Sequence, residues 1–97
     1  MLYMVNKSPL MTRNLETCLA IAPAGDPILL YEDGVYGALP GGGLVGTLKQ
    51  ALERHPIYAL DADLESRGIG QVLDGIRVID YPGFVGLVEK YDVIPWL

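Results

Sequence analysis

The chain has 97 residues, which suffices for one domain spanning 1–97 around a single core and is too short for two. Apolar residues make up 51% of it, a heavy load for so small an interior, so part of that surface is expected in a subunit interface. Seven Lys and Arg against twelve Asp and Glu leave a net charge of -5, and the few cations are scattered, so the electrostatic footprint of direct nucleic-acid or anionic-membrane binding is missing.

Leu2-Tyr3-Met4-Val5 reads as a short buried strand, ended by Asn6 and by the turn at Ser8-Pro9. Thr12 is placed to cap a helix from about Arg13 to Ala22, with Glu16 near its positive end and Pro23 and Gly25 stopping it. Ile28 to Tyr31 is a continuous apolar run of the kind covered on both faces, and gives strand two. Val35 to Leu39 suits a short helical turn before the flexible break Pro40-Gly41-Gly42-Gly43. Val45, Leu48, Ala51 and Leu52 then recur at helical spacing up to His55-Pro56. Ile57 to Leu60 is strand three, after which Asp61 or Asp63 can cap a short helix ending at Arg67-Gly68. Ile76 to Ile79 is strand four, and Asp80 caps a helix carrying Phe84, Val85, Leu87 and Val88. The closing Ile94-Pro95-Trp96-Leu97 is too apolar to fray in water, and docks either within the fold or onto a partner.

Strand and helix alternate about four times with short links, an order that favours a parallel sheet flanked by helices on both faces. The expected fold is a small three-layer α/β sandwich with a mostly parallel sheet of four to five strands. Ligands of such sheets bind beyond the carboxyl ends of the strands, here the loops Asn6 to Thr12, Glu32 to Tyr36, Asp61 to Asp63 and Asp80 to Gly83.

Those loops gather Glu32, Asp33, Asp61, Asp63 and Asp80, which suggests a hard-cation site or an acid/base pair. Capping and turn formation explain acids at strand-to-helix junctions better, so no metal is expected. Gly41 to Gly43 lacks the Lys-Ser/Thr ending of a phosphate loop, and no cofactor is expected. A hydrolase triad would need Ser8 or Ser66 beside His55, the one histidine; nothing in the sequence joins them, and His55 reads as a surface residue near a helix's negative end. No apolar run nears the roughly 18 residues of a membrane span, and no secretory signal precedes Asn6. A lone cysteine that cannot form an internal disulfide fits a reducing, cytoplasmic setting.

That cysteine, Cys18, is the one residue able to carry covalent chemistry for the chain alone, and so the candidate reactive thiol. Leu15, Cys18, Leu19 and Ala22 share one helical stripe, which turns the thiol toward the core. Reactivity would require a neighbouring cation such as Lys7 or Arg13 to lower its pKa.

Asn6-Lys7-Ser8-Pro9 after strand one, Leu15-Glu16-Thr17-Cys18-Leu19 in the first helix and Leu29-Leu30-Tyr31-Glu32-Asp33-Gly34-Val35-Tyr36 around strand two resemble the DsrH/TusB family. Tyr58-Ala59-Leu60 with Asp63-Leu64 and Arg67-Gly68, Ile79-Asp80-Tyr81 with Phe84-Val85, and Trp96-Leu97 extend the resemblance over essentially the whole chain. It implies the DsrEFH-like fold and a subunit of a cytoplasmic sulfur relay, a hetero-oligomer with DsrE/TusD-like and DsrF/TusC-like partners. In such a relay persulfide sulfur passes to a DsrC/TusE-like carrier, for 2-thiolation of the tRNA wobble uridine or for sulfur oxidation. The principal sulfur-accepting cysteine of the family belongs to the DsrE/TusD subunit, which makes this chain an accessory subunit. Cys18 matches a cysteine of DsrH-type members, which makes it the candidate sulfur-binding thiol that the resemblance implies, and Gly41 to Gly43 departs from the family's shorter loop. The alternative is a stand-alone thiol or persulfide-binding protein, or redox sensor, acting through Cys18.

Overall fold

Each apolar run becomes a strand and each apolar stripe a helix. The computed structural model describes residues 1–97, with β1 at Leu2–Val5, α1 at Asn14–Ile21, β2 at Ile28–Leu30, α2 at Val45–Leu52, β3 at Ile57–Leu60, α3 at Asp61–Ser66, β4 at Arg77–Ile79, α4 at Tyr81–Lys90 and β5 at Val93–Trp96. A 3-10 segment, Glu32–Ala38, follows β2 where a short helical turn was expected. The strands form one sheet in the order β4-β3-β2-β1-β5, every pairing parallel.

The two faces follow from the handedness of the connections. β1 to β4 step across the sheet in one direction, so right-handed crossovers place α1, α2 and α3 on one face. The return from β4 to β5 runs the other way and carries α4 to the opposite face. Side-chain alternation agrees: Tyr3, Val5, Ile28, Leu30, Ile57 and Ala59 join α1 and α2 side chains in a 17-residue buried cluster. Leu2, Leu29 and Leu60 point the other way, buried but outside that cluster. The three-layer sandwich expected from the sequence is present, with unequal layers: α4 has no fully buried residue.

The apolar tail docks within the fold. Its residues become β5 and pair with β1 in the register Leu2↔Val93 to Val5↔Trp96. Pro95 lacks an N–H, which suits a strand at the sheet's edge. Trp96 meets Tyr3 edge to face at 6.1 Å, and its indole N–H donates to Thr17 Oγ1 of α1 at 3.1 Å.

Gly34 brings the 3-10 segment against the end of β1. A Cβ there would lie 2.1 Å from the carbonyl oxygen of Val5, a distance no side chain tolerates. This close approach sets the carboxyl rim of β1 and β2 in place.

Three local expectations are corrected. Thr12 does not cap α1; Arg13 holds the N-cap position, and the Thr12 hydroxyl instead accepts the Asn14 N–H at 3.3 Å. Neither Asp61 nor Asp63 caps α3, whose N-cap is Leu60 with no side-chain bond. His55 is not a surface residue but 3% exposed. Its backbone N–H extends the last turn of α2 to Ala51, and the Gly25 N–H donates to the Arg54 carbonyl at 2.7 Å, closing the loop between α1 and β2 over the ring. The ring's Nδ1–H donates to the Asp26 carbonyl at 2.8 Å. Asp80 caps α4 as expected, accepting the Gly83 N–H at 2.9 Å.

Candidate functional site

Cys18 lies on the α1 stripe with Leu15, Leu19 and Ala22, all four buried, and is itself fully covered. Removal from water disfavours the thiolate and pushes its pKa from 9.0 to about 11. At neutral pH only about one thiol in ten thousand is then ionised, and the thiolate is the form that attacks a persulfide. Neither Lys7 nor Arg13 lowers the value; Arg13 pairs with Glu16 at 3.3 Å.

A stability consequence follows from the same burial. The folded chain keeps the Cys18 proton up to about pH 11, whereas an unfolded thiol loses it near pH 9.0. The contribution is therefore complete below the unfolded value and declines as pH rises toward the folded one, by about 1.4 kcal/mol per pH unit and about 2–3 kcal/mol in all. Urea unfolding of wild type and Cys18→Ala from about pH 8 to about pH 10.5 should show a stability difference that shrinks with pH. Parallel curves for the two chains would contradict it.

The five acids of the carboxyl rim are held mostly by local partners. Asp63 accepts the Glu32 N–H at 2.7 Å and so caps the 3-10 segment rather than its own helix. Arg67 donates from Nε to Asp33 at 2.9 Å and lies 3.8 Å from Asp63. Asp61 accepts the Ala62 N–H at 2.6 Å. Glu32 is the one acid of the five whose carboxylate has neither an ion pair nor a hydrogen bond. Its backbone is left-handed at φ 48°, a strain of about 1–3 kcal/mol for a residue other than glycine. Arg67 organises this rim, a role the sequence signalled only through the i, i+4 spacing of Asp63 and Arg67.

The rim also contains the point where the sheet's connections part. β3 leads to α3 on one face and its neighbour β4 leads to α4 on the other, which opens a crevice beyond their carboxyl ends. A cavity of about 300 Å³ occupies it, bounded by Met4 and Leu60 from the sheet, Tyr31 and Glu32 from the chain after β2, Asp63 from α3, and Tyr81 and Phe84 from α4. Burial, and then the nearby Glu32 carboxylate, push the Tyr31 phenol above its ordinary pKa, so it stays protonated. Tyr81 and Phe84 meet at right angles, 5.8 Å between centroids.

No nucleophile joins this crevice. Ser8 follows the carboxyl end of β1, where its hydroxyl accepts the Leu10 N–H, while His55 precedes the amino end of β3. In a parallel sheet these are opposite rims, so no triad forms. Ser66 donates to the Ala62 carbonyl within α3. Gly41 to Gly43 form the bend ahead of α2, with Gly42 at φ 111°.

The outer surface carries the remaining signal. Tyr81 and Val85 of α4 are 63% and 42% exposed, and Val93 of β5 lies on the same side of the sheet. An α-helix whose first eight residues carry no charge, yet bury none of their number fully, presents an uncovered apolar face. No helix of the chain is long and apolar enough to cross a membrane.

Comparison with known proteins matches these features to one group. The family model described as DsrH like protein matches residues 7–94. Protein TusB of Shigella flexneri is 38% identical over 92 residues, covering 94% of each chain, and Protein TusB of Escherichia coli K12 is 37% identical over the same span. In three dimensions the chain is similar to the ychN protein from E. coli, with a TM-score of 0.76 at 18% identity over 97% of each chain, a likeness of fold. With a family model covering nearly all of its length and relatives this similar from end to end, the chain belongs to the DsrH/TusB family.

Proposed function

We propose that the 97 residues act as one domain, an accessory subunit of a cytoplasmic sulfur-relay complex. Membership of the DsrH/TusB family supports the sulfur-relay role. The observation that carries the accessory reading is the contrast between a fully covered Cys18 and an uncovered apolar α4. A chain whose one thiol is sealed in the core, and whose uncovered apolar surface lies on a helix, is built to assemble rather than to react. The partners in this reading are DsrE/TusD-like and DsrF/TusC-like subunits, related α/β chains that supply the sulfur-accepting cysteine. A DsrC/TusE-like carrier then takes the persulfide onward, to tRNA wobble-uridine thiolation or to sulfur oxidation.

Co-expression of the tagged chain with its DsrE-like and DsrF-like partners tests this. The wild type and Cys18→Ser should both retain the partners and support sulfur transfer to the carrier. Val85→Asp places a charge on the exposed face of α4 and should release the partners while the isolated chain stays folded, since the core does not use that side chain. A wild-type chain that retains neither partner would end the assembly reading. Undiminished retention by Val85→Asp would move the interface elsewhere.

A further inference from the structure

We propose that the crevice between α4 and the carboxyl ends of β1 to β3 is a binding site for an organic cation, an alkylammonium or guanidinium group. The position is where an open parallel sheet receives ligands, at the parting of the connections from β3 and β4. The cavity of about 300 Å³ suits a short chain of carbon and nitrogen atoms. Its lining selects the charge. Three aromatic rings, Tyr31, Tyr81 and Phe84, surround it, and no lysine or arginine does. Tyr81 and Phe84, edge to face at 5.8 Å, both line the space, and aromatic rings attract ammonium and guanidinium groups to their faces.

Two carboxylates complete the lining, and their states differ. Asp63 is tied to the Glu32 N–H at 2.7 Å and lies 3.8 Å from Arg67, which also pairs with Asp33. Glu32 has no ion-pair partner, although its backbone is pinned beside Asp63 in the left-handed region. The positive ends of α3 and α4 oppose a cation here, each by about half an elementary charge. Asp61 and Asp80 accept N–H groups at those two ends, at 2.6 and 2.9 Å, and their full charges outweigh the dipoles. The net field favours a cation and repels an anion such as a free persulfide. An uncharged ligand would bury against Glu32 without matching it.

The test is a chemical-shift titration of the full chain with n-butylguanidinium and n-butylammonium, against 1-butanol as the neutral probe of equal length. Saturable shifts at Tyr31, Glu32, Ala62, Tyr81 and Phe84 are expected with the cations alone. Glu32→Gln and Tyr81→Leu alter exposed side chains and should each weaken binding roughly three- to thirtyfold, with the remaining spectrum unchanged. An acetylated and amidated Gly-Arg-Gly peptide separates the sources. Shifts at the same residues assign the guanidinium to a partner polypeptide, and shifts with n-butylguanidinium alone assign it to a free small cation. Equal shifts with 1-butanol, absence of saturation, or wild-type affinity in both variants would overturn the site. Retention of the partners by α4 is read in a separate experiment, the Val85→Asp co-purification, so failure of this site and failure of the sulfur-relay reading are distinguishable.

Discussion

Incubated with a low-molecular-weight polysulfide at neutral pH, the folded chain should gain no sulfur at Cys18, while the same chain in denaturant should gain one. Raising the thiol pKa from 9.0 to about 11 lowers the thiolate population about a hundredfold, and full coverage adds the cost of opening the core before any donor can approach. Intact-mass spectrometry of native wild type, native Cys18→Ser and denatured wild type reads the difference directly. A sulfur added to the native wild type at the rate of an exposed thiol, and missing from Cys18→Ser, would make Cys18 a carrier and end the accessory reading. A sealed thiol here agrees with the proposal that the persulfide chemistry belongs to a partner's cysteine.

The second large effect is structural. Gly34→Ala should cost more than about 4 kcal/mol, a large share of the 5–15 kcal/mol by which a domain of this size is stable. The added Cβ would meet the backbone of Val5, its carbonyl oxygen at 2.1 Å and carbonyl carbon at 2.9 Å, and no rotamer change relieves a clash with backbone. Relief would require lifting the 3-10 segment off β1, which would separate Glu32 from Asp63 and break up the rim. Gly86→Ala is the matched control: a Cβ at that position of α4 meets nothing within 4 Å, so the substitution should stabilise the chain by about 0.5–1 kcal/mol. Circular dichroism during urea titration separates the two, and a cooperative transition for Gly34→Ala at the wild-type midpoint would contradict the packing.

The legible parts of this fold were those fixed by near neighbours in sequence. Periodicity located α1 and placed Cys18 on its buried stripe with Leu15 and Leu19. Asp80 announced α4 because a cap bonds three residues away. The unread parts depend on segments distant in sequence. His55 is buried because the loop at Gly25 and Asp26 closes on it, 29 residues away, and nothing local to His55-Pro56 encodes that contact. Asp63 caps a segment 31 residues earlier, so its position at the start of α3 pointed to the wrong helix. Strand β5 hid behind Pro95, a residue that counts against a strand until its place at the sheet's edge is known. The crevice was half legible: the strand-end loops, Asp80 to Gly83 with Tyr81 among them, follow from the order of elements, but that α4 lies over the far face and brings Phe84 to the same space follows only from the return crossover.

The unequal layers of the sandwich give the molecule two grades of rigidity. On the side of α1 and α2 the 17-residue cluster opens only when the whole chain unfolds, whereas α4 is held by partial contacts with the sheet and by its cap at Asp80. Lifting α4 costs far less than global unfolding, and it uncovers Leu2, Leu29 and Leu60 together. Free of an assembly, the chain therefore visits a state in which one face of its sheet lies bare and prone to aggregation. In the proposed assembly a neighbour that clamps α4 would remove that state by mass action, and solubility and lifetime would then be shared with the complex rather than owned by the subunit.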